Sequence, residues 1–170
     1  KISLRGLGSD AAIEGLKTTN NILEVEGVKA NQQLIYVILD QSFNLSSQIG
    51  IPVNGIIGYN FFKDNLVRID YASKRVIFYK NDDKNRKKIE KKFDKTAITI
   101  DRFKPYLMGI TEFDNLDIDV KLLIDTGNSD SVWLFYILLS QIKVPSKNFE
   151  DFLGKGFSGD IEGRRDRIAN

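Results

Sequence analysis

The order of apolar and polar positions sets out mostly extended segments. Ile22-Leu23-Glu24-Val25-Glu26 alternates as a half-buried strand does, within a glycine-punctuated stretch from Ile2 to Val28. Leu34-Ile35-Tyr36-Val37-Ile38-Leu39 is a short apolar run rich in β-branched residues and reads as a buried strand. Gln41 to Gly50 reads as a loop, and Ile51-Pro52-Val53 leads into Gly55-Ile56-Ile57-Gly58. Asn60 to Asn65 has room for one short helix. Val67, Ile69 and Tyr71 then alternate with Arg68 and Asp70, and Ala72-Ser73-Lys74 is the expected turn of a hairpin returning through Val76 and Phe78. Tyr106 to Phe113 and Leu116 to Ile124 read as two strands around a turn at Asp114-Asn115, with Val132-Trp133-Leu134 as a further strand. Phe135 to Ile142 is apolar without alternation and reads as a helix ended by Pro145. Gly154 to Arg167 is glycine-rich and charged, the composition of a mobile hairpin or lid.

Asn81 to Lys95 breaks this pattern, with seven basic and four acidic residues and almost nothing apolar. It reads as a solvated linker or an exposed helix. Acids interleaved with the lysines, and no accompanying aromatic ladder, argue against a nucleic-acid patch.

Composition narrows the chemistry. The 170 residues include no histidine and no cysteine. Ser-His-Asp triads, cysteine peptidases, histidine or cysteine zinc sites and disulfides are thereby excluded, and acid–base work falls to Asp, Glu, Lys or Tyr. The hydrophobic fraction of 42% and net charge of +2 are those of a globular domain with no call for a nucleic-acid partner. No stretch is long and apolar enough to cross a membrane as a helix. The sequence opens at Lys1 without an initiator Met or signal peptide, and the expectation is a piece of a longer polypeptide.

One internal repeat is present. Gly6-Leu7-Gly8 precedes Ile13-Glu14-Gly15, and Gly154-Lys155-Gly156 precedes Ile161-Glu162-Gly163, each position 148 residues from its counterpart without a gap. A fixed period marks duplicated structural units.

The candidate chemistry lies at Asp125-Thr126-Gly127, at the mouth of the apolar run Leu122-Leu123-Ile124 and followed by Asn128-Ser129-Asp130-Ser131-Val132-Trp133. Together with Gly55-Ile56-Ile57-Gly58 and the hairpin to Tyr79, this loop resembles the aspartic peptidase superfamily, specifically bacterial relatives of the retroviral-type peptidases arranged as tandem lobes. The resemblance spans most of the chain, but the Asp-Thr-Gly loop of such a lobe ordinarily comes first. The repeat accounts for the reversed order. At its period, another Asp-Thr-Gly would fall about 23 residues before Lys1 and another Gly-Ile-Ile-Gly at position 203.

The resemblance implies an all-β fold of acid-protease type, a closed β-barrel lobe in a permuted or domain-swapped arrangement, with one or two short helices. Residues 1–80 would be the rear half of one lobe, 81–97 a charged linker, and 98–170 the front half of a second lobe. It implies an endopeptidase in which water is activated between two aspartates sharing one proton, with no cofactor and no metal. Asp125 would be the catalytic carboxylate. Thr126 would hydrogen-bond across to the partner loop, and Gly127 would bring its N–H to the carboxylate. Asn128 stands where the family has Ser, Thr or Ala, whereas Ser129 matches a common family choice. Gly55, Ile56, Ile57 and Gly58 would support the loop from behind. Phe157, Ser158, Gly159, Asp160 and Ile161 fall where a substrate-covering flap belongs. The implied partners are a peptide or protein substrate and a second copy of the chain, and the implied home is the cell envelope or periplasm. The rival reading is a peptidase-like peptide-binding or interaction module without activity; a third is a half-lobe that only dimerises. Read as residues alone, Asp-Thr-Gly is also a common loop cap.

Two other motifs carry no function. Gly6-Leu7-Gly8-Ser9-Asp10-Ala11 mimics a dinucleotide fingerprint without a βαβ unit around it. Gly156-Phe157-Ser158-Gly159 lacks the spacing of a nucleophile elbow and any histidine.

Overall fold

The computed structural model describes residues 1–113, 116–135 and 147–166. Among the described residues, ten strands and three short helices make the chain mainly β. The described strands form four antiparallel sheets, of orders β1-β2-β3, β4-β5, β6-β7-β8 and β9-β10. The expected closed barrel is not among them. Closure needs edge strands that pair with one another, and each of these two- or three-stranded sheets ends on its own edges.

Two compact units divide the chain. Residues 1–57 and 144–170 make the first, and 58–143 the second.

In the first unit, β1 (Ile2–Leu4), β2 (Ile13–Val25) and β3 (Val28–Ile38) form a sheet. Strand β2 runs well beyond the alternating Ile22–Glu26 segment. It carries the polar run Thr18-Thr19-Asn20-Asn21 by breaking register there, with Asn20 at φ 60 and Gln32 opposite at φ 54. Asn21 Nδ2 donates to the Gln33 carbonyl at 2.9 Å, and the buried Gln33 donates to the Asn31 carbonyl at 3.0 Å. Side chains thus take up main-chain groups that the bulges release. The β2–β3 turn is Glu26-Gly27, both at positive φ, which matches the twist of the flanking strands. Helix α1 (Leu45–Ile49) lies within the expected loop, its N-terminus capped by Asn44, whose Oδ1 accepts from Ser47 N at 3.2 Å.

The same unit holds the hairpin of β9 (Phe149–Gly156) and β10 (Gly159–Arg165). Arg165–Asp151 at 2.5 Å and Arg164–Glu150 at 3.7 Å tie its open end.

In the second unit, helix α2 (Tyr59–Phe62) occupies the expected short-helix segment. Strands β4 (Leu66–Asp70) and β5 (Arg75–Tyr79) follow as the expected hairpin. Phe61 is 3% exposed and meets Phe62 and Phe78 edge to face at 5.5 and 5.6 Å. The charged segment forms helix α3 (Asp83–Glu90), with Asp82 capping Asn85 N at 2.9 Å. Strands β6 (Thr99–Asp101), β7 (Lys104–Phe113) and β8 (Leu116–Leu123) make the third sheet. Val120 on β8 is buried. Val132-Trp133-Leu134 is not a strand, because side-chain-capped turns take over the backbone after Asp125. The helix expected over Phe135 to Ile142 lies, past its first residue, outside the described residues, as does the turn at Asp114-Asn115.

Candidate functional site

The Asp125 loop is built at the end of a strand. Tyr106 pairs with Leu123 at the last rung of β7–β8. Ile124 carries the ladder one residue further, its N–H donating to the Pro105 carbonyl at 2.9 Å. The chain then turns. Asp125 Oδ1 accepts the Gly127 N–H at 2.9 Å, and the Asp125 carbonyl accepts the Asn128 N–H at 3.3 Å. A Cβ on Gly127 would stand 3.3 Å from Asp125 Oδ1, so any larger residue there presses on the carboxylate.

A second turn follows directly. Asn128 Oδ1 accepts the Asp130 N–H at 3.0 Å, and Asp130 Oδ2 accepts the Trp133 indole N–H at 2.7 Å. This gives Asn128 a physical role: its amide oxygen holds the backbone two residues on. Asp130 and Trp133 were not singled out by the sequence pattern. An acid three residues before the one tryptophan of the chain was the available signal.

Asp125, Thr126, Gly127 and Ser129 are exposed, and Asn128 is half-buried. One Asp125 oxygen accepts the Gly127 N–H, and among the described residues the other accepts no hydrogen bond. Among the described residues, no second carboxylate is hydrogen-bonded to Asp125, and no group of three or more Asp or Glu could hold a metal ion. On the same sheet, the Lys121 ammonium bonds Asp101 at 2.8 Å and holds that carboxyl below its ordinary value of 3.8. Lys121 also stands 4.3 Å from the centre of the Tyr106 ring.

Gly55, Ile56 and Ile57 belong to the first unit, whereas Gly58 and Asp125 belong to the second. The Gly55–Gly58 backbone is irregular up to the start of α2, and Ile56 is 70% exposed.

The flap candidates lie at the tip of β9–β10. Phe157 and Ser158 form the turn, Gly159 and Asp160 open β10, and Ile161 precedes a bulge. The tip is docked on the first copy of the repeat. Ser158 N–H donates to the Leu7 carbonyl at 3.3 Å, the Ser158 carbonyl accepts the Asp10 N–H at 2.7 Å, and Ser158 Oγ accepts the Gly6 N–H at 3.3 Å. Ser158 has no exposed surface. The Phe157 ring lies 4.7 Å from that of Phe43. Two glycines make the approach possible. A Cβ on Gly8, at φ +116, would overlap the Ser158 carbonyl, and a Cβ on Gly156 would overlap the Leu7 carbonyl.

The sequence repeat is also a structural one. A shift of 148 residues carries the arms Ile2–Leu4 and Ile13–Gly15 onto β9 and β10. The pairing differs by one place, since Leu4 faces Ile13 whereas Phe152 faces Glu162, because the second copy has its bulge between Ile161 and Glu162. The two glycine-rich hairpins meet tip to tip. No known family model, curated protein or solved structure matches this chain.

Proposed function

We propose that the protein is an aspartic-type endopeptidase in which Asp125 and a second aspartate activate water against a peptide carbonyl. Two copies of the chain form the working enzyme, and the second aspartate is Asp125 of the other copy. The observation that carries the reading is the Asp125 loop itself. It is an exposed carboxylate at a strand mouth, oriented through one oxygen by the Gly127 N–H, with the other oxygen free.

In this mechanism the two carboxylates share one proton, because like charges so close do not both ionise. The ionised one takes a proton from water while the protonated one donates to the scissile carbonyl oxygen. The water oxygen bonds to the carbonyl carbon to give a gem-diol. This collapses with C–N cleavage as the first carboxyl returns its proton to the leaving amine nitrogen and the second takes a gem-diol hydroxyl proton, restoring the shared-proton pair. The pair titrates as a unit, so activity is confined to the window in which one proton is held.

The test is cleavage of an unfolded protein substrate from about pH 3 to pH 7, the range in which carboxylate dyads work. Asp125→Asn is run in parallel. The expected result is a bell-shaped profile for the parent and a loss of at least about a hundredfold in the variant. No cleavage by the parent, combined with measurable binding of the same peptides, would select the inactive peptide-binding module instead. Cleavage unchanged in Asp125→Asn would remove Asp125 from the chemistry.

A further inference from the structure

The charged segment after β5 gains meaning from its helical geometry. Lys84, Lys87, Lys88, Lys91 and Lys92 follow the spacing i, i+3, i+4, i+7, i+8, which places them on one side of α3 and of the turn that continues it. That turn keeps helical hydrogen bonding, with Lys91 N donating to the Lys87 carbonyl at 3.4 Å and Lys92 N to the Ile89 carbonyl at 2.9 Å. All five lysines are exposed, and together they line an open groove of about 350 Å³ with no other residue type in its wall.

The acids Asp83 and Glu90 border the stripe, four residues before and three after Lys87. Glu90 pairs with Lys95 at 2.9 Å, and that pair, helped by the Arg86 and Lys87 charges, holds the Glu90 carboxyl below its ordinary value. Ile89 and Phe93 line a depression with Val67, Ile69 and Tyr79 of β4–β5, where Arg68 lies 5.9 Å over the Phe93 ring, and Lys88 and Lys92 of the stripe stand at the same depression. Helical winding therefore gathers the five lysines on one side, with acids only at its border beside Lys87. Among the described residues, none of the five lysines makes an ion pair. Like charges three and four residues apart oppose helix formation, and an anionic partner removes that opposition.

We propose that this stripe is a docking surface for an anionic lipid bilayer. Its charge complements a headgroup layer carrying net negative charge, and four to eight basic residues on one helix face suit such a surface. No aromatic ring lines the groove of the five lysines; the two nearest, Tyr79 and Phe93, line the adjoining depression with Lys88 and Lys92 rather than forming a ladder along the stripe. Its cations are ammonium groups, point charges without the fork that reads phosphates in pairs. It binds the diffuse charge of a bilayer and contributes no base readout.

The experiment is co-sedimentation of the whole chain with vesicles of phosphatidylcholine alone or with 30% phosphatidylserine, at 0.05 and 0.5 M NaCl. The comparison is with K84Q/K87Q/K88Q/K91Q/K92Q. Glutamine keeps the helix propensity, and circular dichroism checks the fold. A control variant removes five charges elsewhere, at Lys17, Lys63, Lys74, Arg75 and Lys104, all exposed. The expected result is binding to the anionic vesicles only, lost at high salt. Each lysine contributes about fivefold to partitioning, so the stripe variant falls at least a hundredfold while the control variant falls far less. Equal loss in both variants would reduce the effect to net charge and overturn the proposal. So would no binding to anionic vesicles, or competition by single-stranded RNA or polyglutamate at concentrations where the vesicles do not bind.

Discussion

Ser158 shows how one residue can fasten two hairpins. Its N–H, carbonyl and hydroxyl each bond a backbone group of the Gly6–Asp10 loop, and the contact is so close that Gly8 and Gly156 have no room for a side chain. Gly8→Ala therefore meets two penalties, a positive φ and a collision with the Ser158 carbonyl. Gly27 also has positive φ but faces open space. Denaturant unfolding is expected to place Gly27→Ala about 1 kcal/mol below the parent and Gly8→Ala at least about 2 kcal/mol below it. Equal losses would mean that the tips do not meet in solution. Asp70 gives a second prediction at this scale. Hydrogen bonds from Ser73, backbone first, and the neighbouring Arg68 hold its carboxyl below the ordinary 3.8. A carboxyl depressed on folding adds stability above its unfolded pKa and loses that contribution as pH falls through the folded value. An NMR titration is expected to find the Asp70 midpoint below 3.8, and Asp70→Asn to be less stable than the parent at pH 6 with the difference closing by about pH 2. Asp125 was legible in the sequence because an acid after three apolar residues marks a strand mouth. Asn128 was not, because what it does depends on the turn that it caps.

The strands were the most legible elements, and their failures have particular causes. The β4–β5 hairpin was plain from Val67, Ile69, Val76 and Phe78 around a polar turn. Strand β2 was read short because Thr18 to Asn21 breaks the alternation, and only pairing with β3 keeps that stretch extended. Helix α1 has five residues, too few for a 3.6-residue period to show, although Asn44 is the kind of residue that caps one. The turn between β6 and β7 is strained. Arg102 and Phe103 are both at positive φ, in a two-residue turn that glycine or asparagine ordinarily fills. Phe103→Gly is expected to raise stability by about 0.5–1 kcal/mol in denaturant unfolding, the relief of strain being partly offset by backbone entropy. A loss instead would show that the Phe103 contact with Tyr59, ring centres 6.2 Å apart, outweighs the strain. The ring cluster behind the β4–β5 hairpin runs in the opposite sense. Phe61 is buried between two other rings, and Phe61→Ala is expected to cost about 3–5 kcal/mol. The same substitution at the exposed Phe149 is expected to cost under about 0.5 kcal/mol.

At the scale of the whole molecule, the fraction of apolar residues buried is the deciding quantity. Of a chain that is 42% hydrophobic, only Ile13, Phe61 and Val120 among the described residues are buried apolar side chains. Ile56 and Ile110 are 70% and 69% exposed, and Met108, Leu116 and Leu123 are exposed on β7 and β8. Met108, Ile110 and Leu123 share one face of β7–β8, where Lys121 and Asp119 stand opposite Met108 and Ile110, and Leu116 belongs to the other face, so the exposed face mixes apolar and charged side chains. In the proposed mechanism Asp125 would work with a second loop, which a second copy of the chain would supply. Analytical ultracentrifugation at about 10 μM is therefore expected to show a dimer, the affinity range in which interfaces of standard size fall. Ile110→Lys, which removes an apolar side chain exposed on β7, is expected to weaken that dimer at least tenfold through the lost burial of the isoleucine. Asp125→Asn is expected to dimerise like the parent while losing cleavage, because the carboxylate is needed for chemistry and the sheets for assembly. If Ile110→Lys were to leave the dimer intact, association would run through other surfaces. If the parent stayed monomeric at every concentration tested and still cleaved peptide, the second carboxylate would have to come from within one chain, and the two-copy dyad would be wrong.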